Sequence, residues 1–473
     1  MNRRDFIKLT MYSTALAGMT TPFRSALATH GGAHRTLINV MCLGGADFRY
    51  LFTPSPLSTP YATNFWDARK ALYNTDPIPA NNYASYDEAF TDRYLATVGG
   101  PTNGFGIHKN ADWLKDQFDN NNVAIICNVV GSTNRRHDQS QLIVNAGDLN
   151  AGKFAYDRDG WGGRLAETIG AANVVSMTND ISVFAKGTNA DNRNAKVIHA
   201  RDTRNFALSK GDPAQATQIK MGRALENYYK SKRTETANKP ADWPFRKFIQ
   251  HEKAMRYFGD QFKPLTDANP LPASLADLTL TQAGFTKQCQ NIYDSFTGAD
   301  LFNLRVASVE YSGWDTHQQQ KSRFENNISD LFGIGKGLDT LTSELDVDSV
   351  NNTVFVFTSD FGRQLRANGS AGTDHGKGSY MILVGPSVNG GVYGDMFPDS
   401  EITADGGGSI PFETQGADIT GLTSFERVLA EVCNWVEPGS GTQVFPNTAF
   451  NDLNIYPNGP ILEPGVDLTT LFA

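Results

Sequence analysis

Five short runs rich in β-branched and aromatic residues recur along this 473-residue chain, and segments with helical periodicity separate them. The runs cover residues 36–43, 122–130, 304–311, 353–358 and 380–384. Strands that alternate with helices in this way favour a mainly parallel sheet covered by helices on both faces. The order of the elements therefore predicts an α/β fold.

Two of the helical segments have a clear apolar face. Ahead of the fourth run, apolar side chains recur every three, four or seven residues, at Phe324, Ile328, Leu331, Leu338, Leu341 and Leu345. The glycine-rich stretch 333–337 predicts an interruption within this helical segment. A second helix is predicted over residues 424–435.

Residues 200–300 have a different pattern, with polar, aromatic-bearing helices predicted at 214–232 and 243–262. Prolines at 264, 270 and 272 indicate joints after these helices. We interpret this region as a helical insertion over the sheet, within a single domain that spans residues 29–473.

Residues 1–28 have the pattern of a twin-arginine (Tat) export signal. Arg3 and Arg4 precede an apolar segment and then Ala26-Leu27-Ala28, a small-x-small cleavage signal. No lipobox cysteine follows, and no later run approaches the roughly 20 apolar residues of a membrane span. We therefore predict that the Tat translocase exports a soluble protein to the periplasm or the extracellular space.

The amino-acid composition limits the kinds of molecule that the protein is expected to bind. Without residues 1–28 the chain has 38 Lys and Arg against 49 Asp and Glu, so its net charge falls from -8 to -11. This acidity disfavours a nucleic-acid partner. The four cysteines lie far apart, which indicates neither a zinc ribbon nor a dense disulfide framework; Cys42 and Cys127 are expected in the core.

Candidate metal ligands cluster around the third, fourth and fifth runs. Asp315 and His317 follow the third run, and their i, i+2 spacing puts both side chains on one side of an extended segment. Asp360 follows the fourth run, and Asp374 with His375 precedes the fifth. Open α/β sheets present ligands at such strand ends, so these residues predict a metal site.

Asp47 is a further candidate, because it follows the first run through the flexible pair Gly44-Gly45. Its alternative role is that of a turn residue whose side chain bonds nearby backbone N–H groups. If two ions bind, we expect one near Asp315, His317 and His375 and the other near the remaining carboxylates, Asp47, Asp360 and Asp374.

The mixed oxygen and nitrogen ligands suit zinc, manganese or iron, whereas an oxygen-rich site would favour magnesium or calcium. The sequence leaves the identity and number of the divalent ions open. Arg363 and Lys377 are candidate charge stabilisers for an anionic substrate. The alternative for either residue is a solvated surface cation or a salt-bridge partner, and for Lys377 the two roles fit equally well.

Six motifs occur in an order that is typical of one family. They are Gly44-Gly45-Ala46-Asp47, His137, Gly160-Trp161-Gly162-Gly163-Arg164, Gly313-Trp314-Asp315-Thr316-His317, Ser359-Asp360-Phe361-Gly362-Arg363 and Gly372-Thr373-Asp374-His375-Gly376. With them the chain resembles the Tat-exported family called domain of unknown function 1501. That family is similar to the alkaline phosphatase-like and sulfatase superfamily, which implies an alkaline phosphatase-like sheet with metal ligands at its strand ends.

The resemblance makes Asp47 the early strand-end ligand, Asp315 and His317 the ligands of one metal, and His375 the late histidine. Asp360 matches the carboxylate of a second metal. Phe361 departs from the pattern, because the superfamily usually has a ligand histidine there.

The nucleophile position also departs from the pattern. Family members commonly have Ser-His-Phe at this place, whereas Arg136 stands where the serine is expected. Ser132 and Thr133 are the nearest hydroxyls, and water activated by the metal is the alternative nucleophile. His137 then fits a general acid or base, a ligand, or a hydrogen-bond partner of a ligand. For His108 a cap or packing role is favoured.

Two functions follow as expectations. The first is an exported metal-dependent hydrolase of phosphate or sulfate esters. The second is a binding or assembly protein that keeps the fold and a structural metal but has lost turnover, as the residues at 361 and 136 suggest. A polysaccharide-associated factor is a third possibility, for which no Trp- and Tyr-lined groove can be located in the sequence.

Overall fold

The computed structural model describes residues 34–56, 62–74, 83–97, 104–132, 134–149, 158–170, 173–187, 197–204, 216–240, 244–302, 304–398, 401, 417–419, 421–446 and 462–473. The predicted signal, residues 1–28, lies outside these ranges, and so does Thr133. No helix in the described ranges has the length and apolar character needed to cross a membrane.

The described ranges contain fourteen strands. They are β1 (Thr36–Cys42), β2 (Phe52–Pro54), β3 (Tyr94–Ala96), β4 (Phe105–His108), β5 (Val123–Val130), β6 (Asn173–Ser176), β7 (Val197–His199), β8 (Leu304–Tyr311), β9 (Thr353–Ser359), β10 (Arg363–Ala367), β11 (Thr373–His375), β12 (Gly378–Val384), β13 (Gly391–Tyr393) and β14 (Thr423–Ser424). All five predicted runs are strands: β1, β5, β8, β9 and β12.

The same ranges contain sixteen α-helices. They are α1 (Phe48–Leu51), α2 (Ala62–Asn74), α3 (Tyr86–Arg93), α4 (Asp112–Asp119), α5 (His137–Ala146), α6 (Trp161–Ile169), α7 (Ala216–Thr236), α8 (Pro244–Ala268), α9 (Ala273–Ala276), α10 (Ala283–Thr297), α11 (Ala299–Phe302), α12 (Gln320–Phe332), α13 (Gly337–Glu344), α14 (Val347–Asn351), α15 (Phe425–Val436) and α16 (Gly441–Val444). Short 3-10 helices cover Lys109–Ala111, Val183–Ala185 and Leu468–Thr470.

Nine of these strands form one sheet, in the order β13-β5-β12-β9-β1-β8-β6-β7 with β14 beside β5. The central strand β1 is parallel to β8 and to β9. Among the described strands of this sheet only β12 runs antiparallel to its neighbours, β5 and β9. The predicted α/β class with a mainly parallel sheet is confirmed.

Helices cover both faces of this sheet. Successive residues of a strand point to opposite faces, so Ile38 and Val40 enter one hydrophobic cluster while Leu37 enters the other. The first cluster includes apolar side chains of α2, α10 and α12, and the second includes those of α5, α6 and α15. All four cysteines are buried and free of disulfides, and Cys42 and Cys127 pack in the first cluster, as expected.

The structure refines the predicted helices. The segment before β9 is two helices, α12 and α13, because the chain turns between Gly333 and Lys336, where an interruption was expected. In the region of the predicted insertion, α7 and α8 are present, but the joint expected at Pro264 is wrong. Helix α8 continues through Pro264 to Ala268, and the prolines at 270 and 272 follow its end.

Two small sheets flank the main one. Strands β2, β4 and β3 form an antiparallel sheet, and β10 pairs with β11 in a hairpin. His108 at the end of β4 caps the 3-10 helix that follows, because its Nδ1 accepts the N–H of Asn110 at 3.1 Å. The capping role favoured for His108 is confirmed.

Candidate metal centre

The ligand-bearing segments meet at one edge of the main sheet. Strands β1, β8 and β9 are mutually parallel, and β5 has the same direction because β12 is antiparallel to both β5 and β9. Their carboxyl ends therefore lie together. Since β12 runs the other way, its beginning lies at this edge, and the residues just before it, Asp374 and His375, arrive beside the ends of the parallel strands.

Four side chains converge at this edge. The Nε2 atom of His375 lies 3.1 Å from Nε2 of His137 and 2.8 Å from Nε2 of His317. Asp315 Oδ1 lies 3.1 Å from Nε2 of both His317 and His375, and its Oδ2 lies 3.5 Å from Nε2 of His137. His137, Asp315 and His375 offer ligand atoms that all lie within 4.8 Å of one another.

Nδ1, the other nitrogen of each imidazole, donates a hydrogen bond to an oxygen. Nδ1 of His137 donates to Asp360 Oδ2 at 2.7 Å, and Nδ1 of His317 donates to Asp374 Oδ1 at 2.9 Å. Nδ1 of His375 donates to the backbone carbonyl of Arg135 at 2.8 Å. Because carboxylates and carbonyls only accept, each Nδ1 carries a ring hydrogen, and in the neutral imidazole each Nε2 then presents a lone pair.

When all three rings are neutral, lone pairs therefore face lone pairs in this cluster. Nε2 of His375 lies 2.8 and 3.1 Å from the other two Nε2 atoms, and the Asp315 carboxylate lies 3.1–3.5 Å from all three. Ligands about 2.0–2.1 Å from a tetrahedral zinc ion stand about 3.3 Å from one another, which is the same range. One added proton would make one contact favourable and leave the others repulsive, whereas a cation at the centre would satisfy all of them.

The titration of these groups depends on both burial and partners. Burial raises the pKa of Asp315, but the hydrogen bond and charge of Arg363 outweigh burial and lower this pKa to about 2. The hydrogen bond to Asp360 raises the pKa of His137, and desolvation lowers the pKa of His375. Asp315 thus remains an anion that is paired with Arg363.

Arg363 lies beneath the cluster and is fully buried. Its guanidinium donates to Asp315 Oδ1 at 2.7 Å and to the carbonyls of Gly44, Gly45, Trp314 and Thr373. These contacts join the segments after β1 and β8 to strand β11. The structure therefore places Arg363 as a brace for Asp315, and its guanidinium does not project toward solvent to meet a substrate.

Phe361 closes the buried side of the cluster. Its ring centroid lies 4.8 Å from that of His137 and 4.6 Å from that of His375. Gly45 has a positive φ of 75°, and a Cβ there would lie 2.5 Å from the Phe361 ring, so only glycine fits. Gly44, with φ of 122°, approaches the backbone of Asp315 just as closely. Aromatic carbon thus stands where the superfamily pattern has a histidine.

Asp47 does not join the cluster. Its Oδ2 accepts Arg69 Nη1 at 2.7 Å and Gln320 Nε2 at 2.6 Å, and all three residues are buried. Gln320 Oε1 accepts the hydroxyls of Thr316 and Thr373, which precede His317 and Asp374. The predicted ligand Asp47 is therefore part of a polar layer beneath the ligands and contacts them only through other side chains.

The remaining predicted residues lie around the cluster. Asp360 is fully buried, and its oxygens accept the N–H of Gly44, Nδ1–H of His137 and the Gln141 amide. Lys377, two residues after His375, is exposed, and no side-chain partner for it is found in the described ranges.

No candidate nucleophile of the described chain reaches the ligands. The Ser132 hydroxyl is buried and bonds Ser140 and the carbonyl of Asn134. Arg136 begins α5 as its N-cap, and its side chain pairs with Asp138 at 2.7 Å on the surface. Thr133, the other candidate hydroxyl, lies outside the described residues.

Three residues of the site were missed in the sequence. Arg69, Gln141 and Gln320 belong to helices α2, α5 and α12, whose periodicity indicates only packing. Gln141 stands four residues after His137 on α5, and this helical spacing to a candidate ligand could have indicated it. Arg69 and Gln320 meet Asp47 from other parts of the chain, so no local spacing indicates them.

The family model for "Protein of unknown function (DUF1501)" matches residues 121–401, which is more than half of the chain and includes all four converging side chains. The chain belongs to this family. The expected membership is thus confirmed, and Asp47 lies outside the matched range. No curated protein matches the chain.

Proposed function

We propose that this DUF1501 protein is an exported, metal-dependent hydrolase of phosphate or sulfate esters, with one metal centre formed by Asp315, His137, His317 and His375. The observation that carries the proposal is the convergence of three Nε2 atoms on one carboxylate, while Nδ1 of each ring donates its hydrogen to another acceptor. Such an arrangement is unfavourable without a cation and is the usual form of a histidine-rich metal site.

Three imidazoles and one carboxylate favour a divalent transition metal, such as zinc, over calcium or magnesium. The side chains of His317 and Asp315 are 41% and 46% exposed, so the centre opens to solvent on their side. An ion held there would polarise an ester and acidify a water molecule, which is the chemistry of metal-assisted hydrolysis.

The chain's own groups prepare the site for this chemistry. Asp360, Asp374 and the Arg135 carbonyl each hold one ring N–H and so turn Nε2 toward the centre. Phe361 excludes water from the buried side, and Arg363 fixes Asp315. His137 is thus better suited to be a ligand than a general acid or base.

Two features support an anionic ester as the substrate class. Lys377 is exposed two residues from His375, at a place where it could meet the charge of a phosphate or sulfate. The sheet, with ligands at the carboxyl ends of its parallel strands, is compatible with the alkaline phosphatase-like superfamily that the motifs resemble. The twin arginine and the Ala26-Leu27-Ala28 signal support Tat export to the periplasm or beyond.

The test measures ester hydrolysis by protein from which a chelator has removed the metal and to which metal has then been returned. We expect zinc or manganese to restore hydrolysis of aryl phosphate or aryl sulfate esters, and His317→Ala to abolish it. His199→Ala is the matched control, because His199 lies on β7 and its Nε2 bonds the Thr178 carbonyl instead of a group of the cluster. Full activity in His317→Ala would refute the site.

A binding or assembly protein with a structural metal is the second candidate. It is favoured by the buried, occupied hydroxyl of Ser132 and by the four protein ligands, which can fill a tetrahedral coordination sphere. On this account, metal removal would lower the thermal unfolding temperature, and reloaded protein would hydrolyse no phosphate or sulfate ester.

A further inference from the structure

The buried layer beneath the ligands contains a positive charge that the motifs do not indicate. The Arg69 guanidinium is fully buried and donates to Asp47 Oδ2 at 2.7 Å. It also donates to the backbone carbonyls of Leu365 and Gln364, and it lies 5.2 Å over the Phe65 ring. Arg69 is therefore fixed from four sides against the carboxylate expected to hold a second metal.

The groups that the superfamily pattern assigns to that second metal do not form a site. Phe361 has no lone pair to offer. Asp360 already accepts three N–H donors, from Gly44, His137 and Gln141. Asp47 has one oxygen, Oδ1, without a hydrogen-bond partner in the described ranges, and an ion bound there would share the carboxylate with Arg69. One available oxygen is too few for a metal site.

Charge balance leads to the same conclusion. Four carboxylates lie in or beneath the centre, and two of them pair with buried guanidinium groups: Asp47 with Arg69, and Asp315 with Arg363. The two remaining formal negative charges, on Asp360 and Asp374, are balanced by one divalent ion. A second ion would leave an excess of positive charge in a partly buried site, which is unfavourable.

We infer that the Arg69 guanidinium takes the place of a second metal ion, so that this centre holds a single divalent ion. The inference rests on the proposed function, because it assumes that the histidine cluster binds the first ion. It deepens that proposal by assigning the chemistry to one ion, with Asp47 and Arg69 as fixed charges beneath the ligands.

The experiment is a zinc titration of the full-length, chelator-stripped chain, read by calorimetry and by elemental analysis after desalting. We expect one equivalent of zinc per chain in the wild type. Arg69→Met removes the guanidinium at similar volume and leaves the Asp47 carboxylate without its cation. Because one carboxylate binds an ion only weakly, we expect a second, weaker equivalent in the calorimetric titration, which desalting removes. Arg69→Lys keeps the charge and should return the stoichiometry to one.

Arg49→Met is the matched control. Arg49 is an equally buried guanidinium, and it pairs with Glu401 and Tyr380, neither of which contacts a ligand in the described ranges. This variant should still bind one equivalent. In the calorimetric titration, a second equivalent in Arg49→Met would overturn the assignment to Arg69, and so would the absence of a second, weaker equivalent in folded Arg69→Met.

The wild-type stoichiometry decides the matter even if Arg69→Met does not fold. Two equivalents in the wild type would overturn this inference and leave the proposed function standing. No binding of zinc at all would refute the proposed function, and this inference with it. The two failures are therefore distinguishable in the first titration.

Discussion

Replacing Asp360 by Asn is predicted to weaken metal binding although Asp360 is not itself a ligand. Three N–H donors point at its carboxylate: Gly44 N–H at Oδ1, and His137 Nδ1–H with the Gln141 amide at Oδ2. An Asn side chain has one oxygen and one NH2 group, so in either orientation its NH2 meets at least one of these donors. The carboxylate charge that makes the His137 ring a better ligand is also lost.

The magnitude follows from the role of such partners in other metal sites. Loss of a carboxylate that orients a ligand histidine typically lowers metal affinity by about 10–100-fold, or about 1.4–2.7 kcal/mol. Asp360 is completely buried, so water cannot replace it, and we expect the upper part of this range. Asp374, which orients His317, is 40% exposed, so Asp374→Asn should cost less than about 10-fold.

The assay is competition for zinc between the protein and a chromophoric chelator of known affinity, at fixed pH and salt. Circular dichroism and thermal unfolding of the metal-free variants would show that each has folded. A zinc affinity of Asp360→Asn within about twofold of wild type would refute the reasoning, since the expected loss is at least about 10-fold. A larger loss of zinc affinity in Asp374→Asn than in Asp360→Asn would also refute the reasoning.

Three further predictions address the brace, the glycine turn and a buried histidine. Arg363→Ala should lower zinc affinity, because the Asp315 carboxylate loses the guanidinium that holds it in place, and Arg363→Lys should restore part of the zinc affinity. Unchanged zinc affinity in Arg363→Ala, measured by the same competition, would contradict this role of Arg363. Gly44→Ala should destabilise the fold by more than about 2 kcal/mol in urea unfolding, because of its positive φ and a Cβ 2.5 Å from the Asp315 nitrogen. Desolvation lowers the pKa of His108 from its ordinary 6.5, so below that pH the unfolded chain takes up a proton that the folded chain does not. Wild type should therefore lose more stability than His108→Gln between pH 7.5 and pH 5.5, and equal losses would contradict this.

The five long strands of the main sheet, and helices α7, α8, α12, α13 and α15, can be predicted from the sequence because their composition or apolar periodicity is local. The run 380–384 shows the limit of such patterns. Its composition indicates a buried strand. The direction of the strand depends on its pairing with β5 and β9, which are other parts of the chain. Because this strand is antiparallel, its beginning and the preceding His375 lie at the edge where the parallel strands end. No local sequence pattern indicates the direction of the strand.

The candidate site is predictable only to the level of strand ends. Asp315 and His317 are recognisable because they share one motif after a strand. The role of Asp47 could not be assigned, because its partner Arg69 belongs to a helix whose sequence indicates packing alone. Arg363 was expected to meet a substrate, and only the tertiary structure shows its five acceptors around a buried guanidinium.

X-ray absorption spectroscopy of the zinc-loaded chain tests the central claim most directly. Our account predicts a single zinc environment of nitrogen and oxygen ligands at about 2.0–2.1 Å, with outer-shell scattering from three imidazoles. His317→Ala should reduce that scattering to two imidazoles. Zinc bound without imidazole scattering, or no zinc taken up at all, would contradict the assignment of Asp315, His137, His317 and His375 as a metal centre.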